Sequence, residues 1–477
     1  MLSQQKLPKP EPLSAEDKRL FWRILIPVLI ENMVNTLFGV VDTMMLKRAE
    51  NATAAIAAVG VTVASINLAV CVATAFCSGF TVVIAQRCGA GDYAACRRTS
   101  RVSLPIMGAV GILLTVGGVL LAPQLIRLLG ANSEIAADAT LYFRIISAGF
   151  FSQIMTVTVC AVFRGIGQTR LPMMFNVAAG ILKVFLNYCL INGRLGFPAM
   201  RVAGAALSTT ITKLLTCVAA LWLLLGTRSL VCPKGNGSWG SLQDYLPTRR
   251  VMFPVLQVGI FSGAEQLVLQ GGNVVNTAIL TVIATTPYAG YQVSASVEEL
   301  AWALSGGLSI AVTSMAGMLL GRGKVDQISS LTRLVMRYSL ILSGGVAALF
   351  FFCGRAMGSL FSDDPEVIRI CALLLRLYCL PAVAIFVHRT FSGVLCGISH
   401  PQGPLIASLI SLWIFRVAGG FLSVRLWQMG VVAACVCNGL DQISRATLDG
   451  IFYAIILPRL RRYKEFAAAR SARRLHL

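Results

Sequence analysis

The stretch Val110–Ala122, which reads VGILLTVGGVLLA, contains no charged residue and no alternation of polar and apolar positions. Leu214–Leu225, which reads LLTCVAALWLLL, has the same character. Apolar stretches of about 20 residues recur along the chain, and each is long enough to cross a bilayer as a helix. Hydrocarbon offers the backbone no hydrogen-bond partner, which favours helices, and a membrane β-barrel would show short alternating segments instead. The sequence therefore predicts an all-α, polytopic membrane protein.

The composition and the placement of charge agree with this fold class. Hydrophobic residues make up 56% of the 477 residues and charged residues 13%, with a mean hydropathy of +0.75. The formal charge is +21, but Lys and Arg cluster in alternate connections and in the tail, where seven lie between Arg459 and Arg474. Because these residues stay on the cytoplasmic side, both termini are predicted to be cytoplasmic and the number of spans even. The bilayer is an expected partner, and nucleic acid is not.

Twelve spans are predicted, the first at 24–46 and the last at 431–458. The predicted organisation has five parts, which are a cytoplasmic N-terminal segment (1–23), an N-terminal six-helix bundle (24–228), a cytoplasmic linker (229–250), a C-terminal six-helix bundle (251–458) and a basic cytoplasmic tail (459–477). The linker is rich in Gly and Pro, which is typical of loops. The tail is expected to lie on the anionic inner leaflet.

The two halves of the chain repeat each other at an offset of 232 to 234 residues. The matched segments are Val40–Thr43 with Val274–Thr277, Gly89–Asp92 with Gly321–Lys324, and Gly165 and Pro172 with Gly397 and Pro404. Six spans in each half give both halves the same orientation. This predicts a parallel pseudo-twofold repeat about an axis along the membrane normal, which is typical of secondary transporters.

These segments resemble the multidrug and toxic compound extrusion family, part of the wider multidrug/oligosaccharidyl-lipid/polysaccharide exporter superfamily. The Val-Asp-Thr of the first span, Gly89–Asp92, the turn Arg164–Met173, Gly204–Ala206 and Glu265 carry the resemblance, which extends over about residues 20–460. It implies two bundles forming a V-shaped cleft and alternating access. It also implies export of xenobiotics and other amphipathic or cationic small molecules by antiport of H⁺ or Na⁺. We expect a monomer in a prokaryotic cell membrane, with no cofactor.

Asp42 is the leading candidate for ion coupling. A charge in mid-bilayer costs several kcal/mol, roughly 2.5–3.5 on insertion scales, so such residues are functional candidates by default. The resemblance implies that Asp42 belongs to the coupling site and that its partners are an Asn and an Asp on span five and a Thr on span six. These positions hold Lys183, Asn187 and Thr209 here. Lys183 either pairs with Asp42, which would compete with Na⁺, or faces a headgroup or an aqueous vestibule.

Polar residues on the seventh and eighth spans are candidates for lining a cleft. These are Glu265, Asn276, Gln292, Glu298 and Glu299. Glu265 and Asn276 are 11 residues apart on roughly one helix face, and a polar stripe in lipid has to face protein or water. The resemblance implies that Gln292 faces the cleft. The acidic members would bind a coupling cation, with Na⁺ at Glu265, or a cationic substrate. The alternative is a buried, hydrogen-bonded structural role.

Span twelve carries Asp441, Arg445 and Asp449 at i, i+4 and i+8, which predicts a structural ion network on one face. No other metal site is expected, because the three His residues lack zinc-binding spacing. No Gly-rich phosphate loop ends in Lys-Ser/Thr, so an enzyme is not predicted. Two alternatives remain open. One is a flippase for a lipid-linked precursor, with Lys183, Lys213 and Arg389 in a basic cleft. The other is a non-transporting membrane scaffold or sensor.

Overall fold

The computed structural model describes residues 11–47, 52–128, 133–193, 200–225, 242–280 and 282–475. The α-helices are α1 (Ala15–Lys47), α2 (Ala52–Gly89), α3 (Tyr93–Leu128), α4 (Ser133–Ala148), α5 (Phe150–Gly165), α6 (Arg170–Asn192), α7 (Arg201–Leu225), α8 (Arg249–Leu280), α9 (Thr285–Gly321), α10 (Val325–Gly358), α11 (Pro365–Leu377), α12 (Cys379–Gly397), α13 (Gln402–Ser411) and α14 (Gly430–Leu475). A short 3₁₀ helix covers Leu242–Tyr245, and π-helical segments cover Leu412–Gly419 and Phe421–Leu426. The described residues contain no strand, so the all-α prediction is confirmed.

Ten helices in the described part of the chain are long and apolar enough to cross a membrane, and the bent pair α4 and α5 makes an eleventh. Helix α14 is not among them, because polar residues such as Asp441, Arg445 and Asp449 lower its hydropathy. When α14 is included and α11 and α12 are taken as one span, each half of the chain supplies six spanning elements in the same order. The polytopic fold with a two-fold internal repeat is therefore confirmed.

The described residues divide into two compact units. The N-unit comprises Ile26–Arg87 and Asp92–Gly271, and the C-unit comprises the described residues of Met1–Leu25, Cys88–Gly91 and Gly272–Leu477. In the N-unit, Ile146, Phe150 and Ala206 form a buried cluster where α4, α5 and α7 meet. In the C-unit, a buried cluster joins the end of α8 to the second π-helical segment and α14. The predicted linker lies mostly outside the described residues.

Two of the predicted spans are broken, each for a local reason. Helices α4 and α5 meet at Gly149 with a bend of 44°. The amide of Phe151 is satisfied by the Thr115 hydroxyl of α3 at 3.0 Å instead of by the preceding helix. Helices α11 and α12 meet at Tyr378. Pro381 has no amide hydrogen to donate to the preceding turn, which favours a break there.

Helix α1 begins at Ala15, nine residues before the predicted span. Ser14 caps it, because its hydroxyl oxygen accepts the Asp17 amide at 3.0 Å and its hydroxyl donates to the Asp17 carboxylate at 2.8 Å. The other Asp17 oxygen, Oδ1, lies 2.6 Å from Arg322, and the Lys324 ammonium lies 3.5 Å from Oδ2. Asp17 is 1% exposed. These pairs fix the start of α1 within the C-unit.

The internal repeat is visible in the backbone of the turns. Gly91 and Gly323, each the third residue of the matched turns, have φ of 75° and 69°. In both turns the next residue's amide donates to the carbonyl five residues earlier, at 3.1 and 2.9 Å. This hydrogen bond closes a helix C-terminus with a left-handed residue, where glycine is favoured. The sequence match at these positions therefore reflects a shared backbone geometry.

The repeat extends to the packing inside each unit. In the N-unit, the Thr81 hydroxyl donates to the Ala161 carbonyl at 3.1 Å. In the C-unit, the Thr313 hydroxyl donates to the Gly393 carbonyl at 3.0 Å. Both residues of the second pair lie 232 positions after those of the first. The second and fourth spans of each half are thus held together by the same interhelical hydrogen bond.

Candidate substrate and coupling sites

A cavity of ≈ 320 Å³ lies within the N-unit, between α1, α5, α6 and α7. Each helix lines it with residues spaced three and four apart, which is the spacing of a single helix face. The lining residues are Asn35, Phe38 and Gly39 of α1, Gln153, Thr156 and Val157 of α5, Asn176, Ala179, Gly180 and Lys183 of α6, and Thr209, Thr212, Lys213 and Thr216 of α7. We call this space the N-cavity.

Helix α7 presents the most polar wall of the N-cavity. Thr209, Thr212, Lys213 and Thr216 follow one another at i, i+3, i+4 and i+7. Thr209 was predicted from family resemblance, and Lys213 was predicted only for the basic cleft of the flippase alternative. The spacing of Thr212 and Thr216 along an apolar helix was the signal available in the sequence for the other two. A polar face of this kind in lipid has to meet protein or water.

Among the described lining residues of the N-cavity, the charged side chains are those of Lys183 and Lys213. None of these lining residues carries a carboxylate. The Lys213 Nζ donates to Gln153 Oε1 at 2.5 Å. Lys183 lies close enough to Lys213 for their charges to repel each other. Thr212 is 3% exposed, and its hydroxyl has no hydrogen-bond partner among the described residues. The wall is therefore rich in donors and positive in charge.

The N-cavity also has apolar lining residues. The ring of Phe38 covers Gly180, where an added Cβ would lie 1.7 Å from the ring. Val157 and Ala179 add apolar surface beside the polar residues of α5 and α6. A cavity lined by apolar side chains and a few convergent polar groups is typical of small-molecule sites. Its lining matches an amphipathic ligand.

The predicted coupling residues have different positions. Asp42 follows Gly39 by three residues on α1, and the placement of its side chain lies outside the described part of the structure. The predicted pair of Asp42 with Lys183 therefore stays a prediction. Lys183 and Thr209 line the N-cavity. Asn187 is 2% exposed and accepts a hydrogen bond from the Ser208 hydroxyl.

A buried ion pair lies directly behind the N-cavity, and neither of its members was predicted as a site residue. Glu31 Oε1 accepts hydrogen bonds from Arg164 at 2.5 Å and from the Asn176 amide at 2.6 Å. Glu31 is 2% exposed. Since Asn176 also lines the N-cavity, this pair holds one of the cavity's polar walls in place.

The predicted cleft residues are divided between the units. Glu265 lies in the N-unit and is 5% exposed, and the other four lie in the C-unit. Gln292 is exposed and donates to the Tyr288 hydroxyl at 2.7 Å. Glu299 is also exposed, whereas Glu298 is buried. Asn276 lies near Tyr291 within the C-unit.

The C-unit contains a buried charged network centred on α14. Asp441 accepts two hydrogen bonds from Arg445, at 2.9 and 2.8 Å, and Arg416 of the π-helical segment approaches it at 2.9 Å. Asp449 contacts His388 of α12, with Oδ2 2.6 Å from Nδ1. The predicted ladder on α14 therefore has partners from two other elements. Sequence reasoning missed Arg416, which reaches the network from a π-helix, a form frequent at functional sites.

Metal ligation finds no support in the described residues, which contain no cluster of three or more His, Cys, Asp or Glu side chains suited to a metal ion. Na⁺ at Asp42 or Glu265 stays a prediction.

Comparisons with known proteins agree with the fold. The chain is 27% identical over 455 residues to the probable multidrug resistance protein NorM of Thermotoga maritima, covering 95% of each chain. It is 24% identical over 403 residues to the multidrug resistance protein PmpM of Pseudomonas aeruginosa, covering 84% of this chain and 82% of PmpM.

A solved structure from Pyrococcus furiosus superimposes with a TM-score of 0.85 at 21% identity, covering 93% of this chain and 97% of that one. It is described as a MOP superfamily transporter whose binding pocket has reverse polarity, suggesting a different function. An outward-facing multidrug resistance MATE transporter of the MOP superfamily matches with a TM-score of 0.85 at 20% identity, covering 93% and 96%.

The MatE family model matches residues 27–189 and 262–422, one segment in each half of the chain. The two matched segments follow the internal repeat seen in the turns and in the interhelical hydrogen bonds. The chain therefore belongs to the MatE family of membrane transporters.

Proposed function

We propose that the chain is a secondary active exporter of amphipathic small molecules, driven by cation antiport through alternating access. The observation that carries this proposal is the N-cavity, a space of ≈ 320 Å³ lined by polar side chains on four membrane-spanning helices. Its volume lies in the range of small-molecule sites, about 300–1,000 Å³. Polar groups are costly to insert in a bilayer, and a passive scaffold gains nothing from them. The names of the relatives, which are multidrug resistance proteins, support multidrug efflux.

Within this proposal, protons are the favoured coupling ion. A Na⁺ site needs several oxygen ligands, as other hard cations do. Lys183 occupies one of the positions where the family resemblance implies such a ligand, and its ammonium repels a second cation. Asn187 Oδ1 already accepts the Ser208 hydroxyl. Asp42 and Glu265 are the proposed proton carriers, since each is a carboxylate on a membrane-spanning helix.

The lining of the N-cavity gives information about the charge of the substrate that the sequence alone did not. A cationic substrate was predicted, and its binding would depend on acidic groups such as Glu265, Glu298 and Glu299. The described lining of the N-cavity offers Lys183 and Lys213 instead. We therefore propose amphipathic substrates in general. Cation preference stays a prediction that depends on the acidic residues outside the N-cavity.

The same two lysines favour a second candidate function, a flippase for a lipid-linked precursor. Such a protein has to accommodate an anionic phosphate or pyrophosphate group away from water. Ammonium groups recognise phosphate as point charges. The predicted third basic residue, Arg389, lies in the C-unit over the ring of Trp302, 4.9 Å from its centroid, so it does not add to the N-cavity.

We further propose a monomer in the cell membrane of a prokaryote, with both termini cytoplasmic, because the Lys and Arg residues gather in the connections on that side. Fluorescent and alkaline phosphatase fusions at residue 477 report the side of the C-terminus. Activity of the phosphatase fusion at that end would contradict this topology.

Efflux in reconstituted vesicles tests the proposed function. Inverted vesicles expose the cytoplasmic face, so a fluorescent dye substrate is added outside them and its uptake is measured while Na⁺ and pH gradients are imposed separately. We expect the pH gradient to drive dye movement and the Na⁺ gradient at constant pH to drive little. Dye movement that ignores both gradients would refute antiport, and transfer of labelled lipid without dye movement would favour the flippase.

A further inference from the structure

We propose, on the basis of the export function proposed above, that the N-cavity binds an anionic phosphate or carboxylate group of an amphipathic ligand. Lys213 and Thr212 of α7 are its principal ligands, with the positive charge of Lys183 beside them. The group belongs either to a water-soluble organic anion or to a lipid headgroup.

The Lys213 ammonium is positioned by one hydrogen bond within the part of the chain that the structure describes. It has three donors, and Gln153 Oε1 accepts one of them at 2.5 Å. Gln153 lies on α5, so this bond fixes the ammonium between two helices. The remaining donors are on the side chain of a residue that lines the N-cavity. A phosphate or carboxylate oxygen is their natural acceptor, because hydrogen bonds between charged partners are the strong ones.

Thr212 provides an independent indication of a ligand. It is 3% exposed, it lines the N-cavity, and its hydroxyl has no hydrogen-bond partner among the described residues. A buried hydroxyl without a partner costs about 1–3 kcal/mol. Thr212 directly precedes Lys213 on α7 and both residues line the N-cavity, so an acceptor group bound there lies beside both side chains.

The charge of the N-cavity also favours an anionic ligand. Lys183 and Lys213 repel each other across it, and its described lining contains no carboxylate to separate them. Two like charges in one cavity disfavour each other's charged form unless an opposite charge is near. Asp42 on α1 is one source of such charge, and a single carboxylate balances one of two ammonium groups. A bound anion supplies the other.

The apolar part of the lining indicates what the anion is attached to. Phe38, Val157 and Ala179 line the same cavity as the polar residues of α7. A ring or an alkyl segment contacts these side chains while the charged group reaches Lys213. The ligand is therefore amphipathic rather than inorganic.

A matched pair of probes tests the inference with the full-length protein in nanodiscs. 1-Naphthyl phosphate and 1-naphthylmethylammonium share a ring and differ in charge, and titration calorimetry measures the affinity of each. We expect the phosphate to bind about tenfold tighter or more, since hydrogen bonds to charged groups contribute about 1.5–3 kcal/mol. Equal binding of the two probes, or tighter binding of the ammonium, would overturn the inference.

Variants assign the binding to the N-cavity. Lys213→Met should weaken binding of 1-naphthyl phosphate about tenfold, Thr212→Val about threefold, and Lys213→Arg should keep most of it. Lys18→Met, which removes an exposed charge in the C-unit, is the matched control. If Lys213→Met does not fold, Thr212→Val and Lys213→Arg decide the matter. Wild-type affinity in Thr212→Val together with a large loss in Lys213→Arg would count against the site.

Transport distinguishes the two sources of the anion and separates this inference from the proposed function. In inverted vesicles that take up the dye, 1-naphthyl phosphate and a fluorescent phosphatidic acid are followed across the membrane. Movement of the first identifies a soluble anion, and movement of the second a lipid headgroup. Movement of neither counts against the inference while the export function stands. Absence of dye efflux under either gradient would refute the export function and leave the binding result intact.

Discussion

His388 Nδ1 lies 2.6 Å from Asp449 Oδ2, and both side chains are at most 1% exposed. This contact joins α12 to α14 in the interior of the C-unit. The second Asp449 oxygen has no hydrogen-bond partner among the described residues. The carboxylate therefore depends on the imidazole for its principal hydrogen bond.

Replacing His388 should destabilise the C-unit. His388→Leu leaves the Asp449 carboxyl group buried without this bond, at a cost of about 1–3 kcal/mol. Denaturant titration in mixed micelles measures the free energy of unfolding. The double variant His388→Leu with Asp449→Leu removes both polar groups, and we expect it to recover part of the loss. A double variant whose loss of stability equals the sum of the two single losses would show that the residues are not coupled.

Asp441→Asn should be more damaging than the change at His388. Asp441 balances Arg445 and Arg416, and removing one partner of a buried ion pair typically costs about 3–5 kcal/mol. The control is Glu366→Gln, whose pair with Arg369 spans 3.5 Å at the surface. Such exposed pairs contribute at most about 1 kcal/mol. Similar losses for the two variants would contradict the buried network.

The repeat and its boundaries were accessible from the sequence because glycine and proline have specific backbone roles. Gly91 and Gly323 match in the sequence and share the same left-handed turn. The positions of the breaks at Gly149 and Tyr378 were not predicted, since one depends on a hydrogen bond from a residue 36 positions earlier in the chain. The length of an apolar stretch can be read from the sequence, but the hydrogen-bond partners of its backbone cannot.

The sites were predictable to a lesser degree. The position of Thr209 was inferred from resemblance, and the structure places it in the N-cavity with Lys183. Gln153 and Asn176 were missed, because one polar amide in an apolar helix carries no signal about which neighbour it meets. Arg416 was missed for the same reason. Interhelical contacts depend on helix rotation and packing, which the periodicity of a single helix does not specify.

Glycine substitutions test the shared packing of the two halves. A Cβ added at Gly397 would lie 2.6 Å from the Thr313 carbonyl oxygen, and one at Gly165 would lie 3.0 Å from the Thr81 carbonyl oxygen. Backbone atoms cannot move aside cheaply, so Gly397→Ala should lower the thermal midpoint clearly and Gly165→Ala should lower it as well. Gly117→Ala, with nothing within 4 Å of the added Cβ, is the control. It should be neutral or slightly stabilising, because Ala favours helix over Gly by about 1 kcal/mol.

Asp42→Asn should separate substrate exchange from ion coupling. The Asn side chain keeps the size and hydrogen-bonding capacity of Asp42 and cannot release a proton, and the matching position in the second half is already Asn276. Exchange of labelled for unlabelled substrate at equal pH should continue, while accumulation driven by a pH gradient should disappear. Asp363→Asn, at an exposed position between α10 and α11, is the control. Full gradient-driven accumulation by the Asp42 variant would exclude this carboxylate from coupling.

The double variant Lys183→Asn with Asn187→Asp should gain a dependence on Na⁺. It removes an ammonium that lines the N-cavity and supplies two side chains with oxygen ligands, which are the residues that the family resemblance implies at these positions. An Asp at 187 still accepts the Ser208 hydroxyl, so the local packing of α6 on α7 is kept. Efflux is measured at constant pH with an inward Na⁺ gradient. We expect the double variant to respond and the wild type to respond little, because the Lys183 charge opposes a second cation. Asn187→Asp alone is the control, since it adds the carboxylate while the ammonium remains to neutralise it. A Na⁺ response as large in that single variant as in the double variant would show that Lys183 does not exclude the ion.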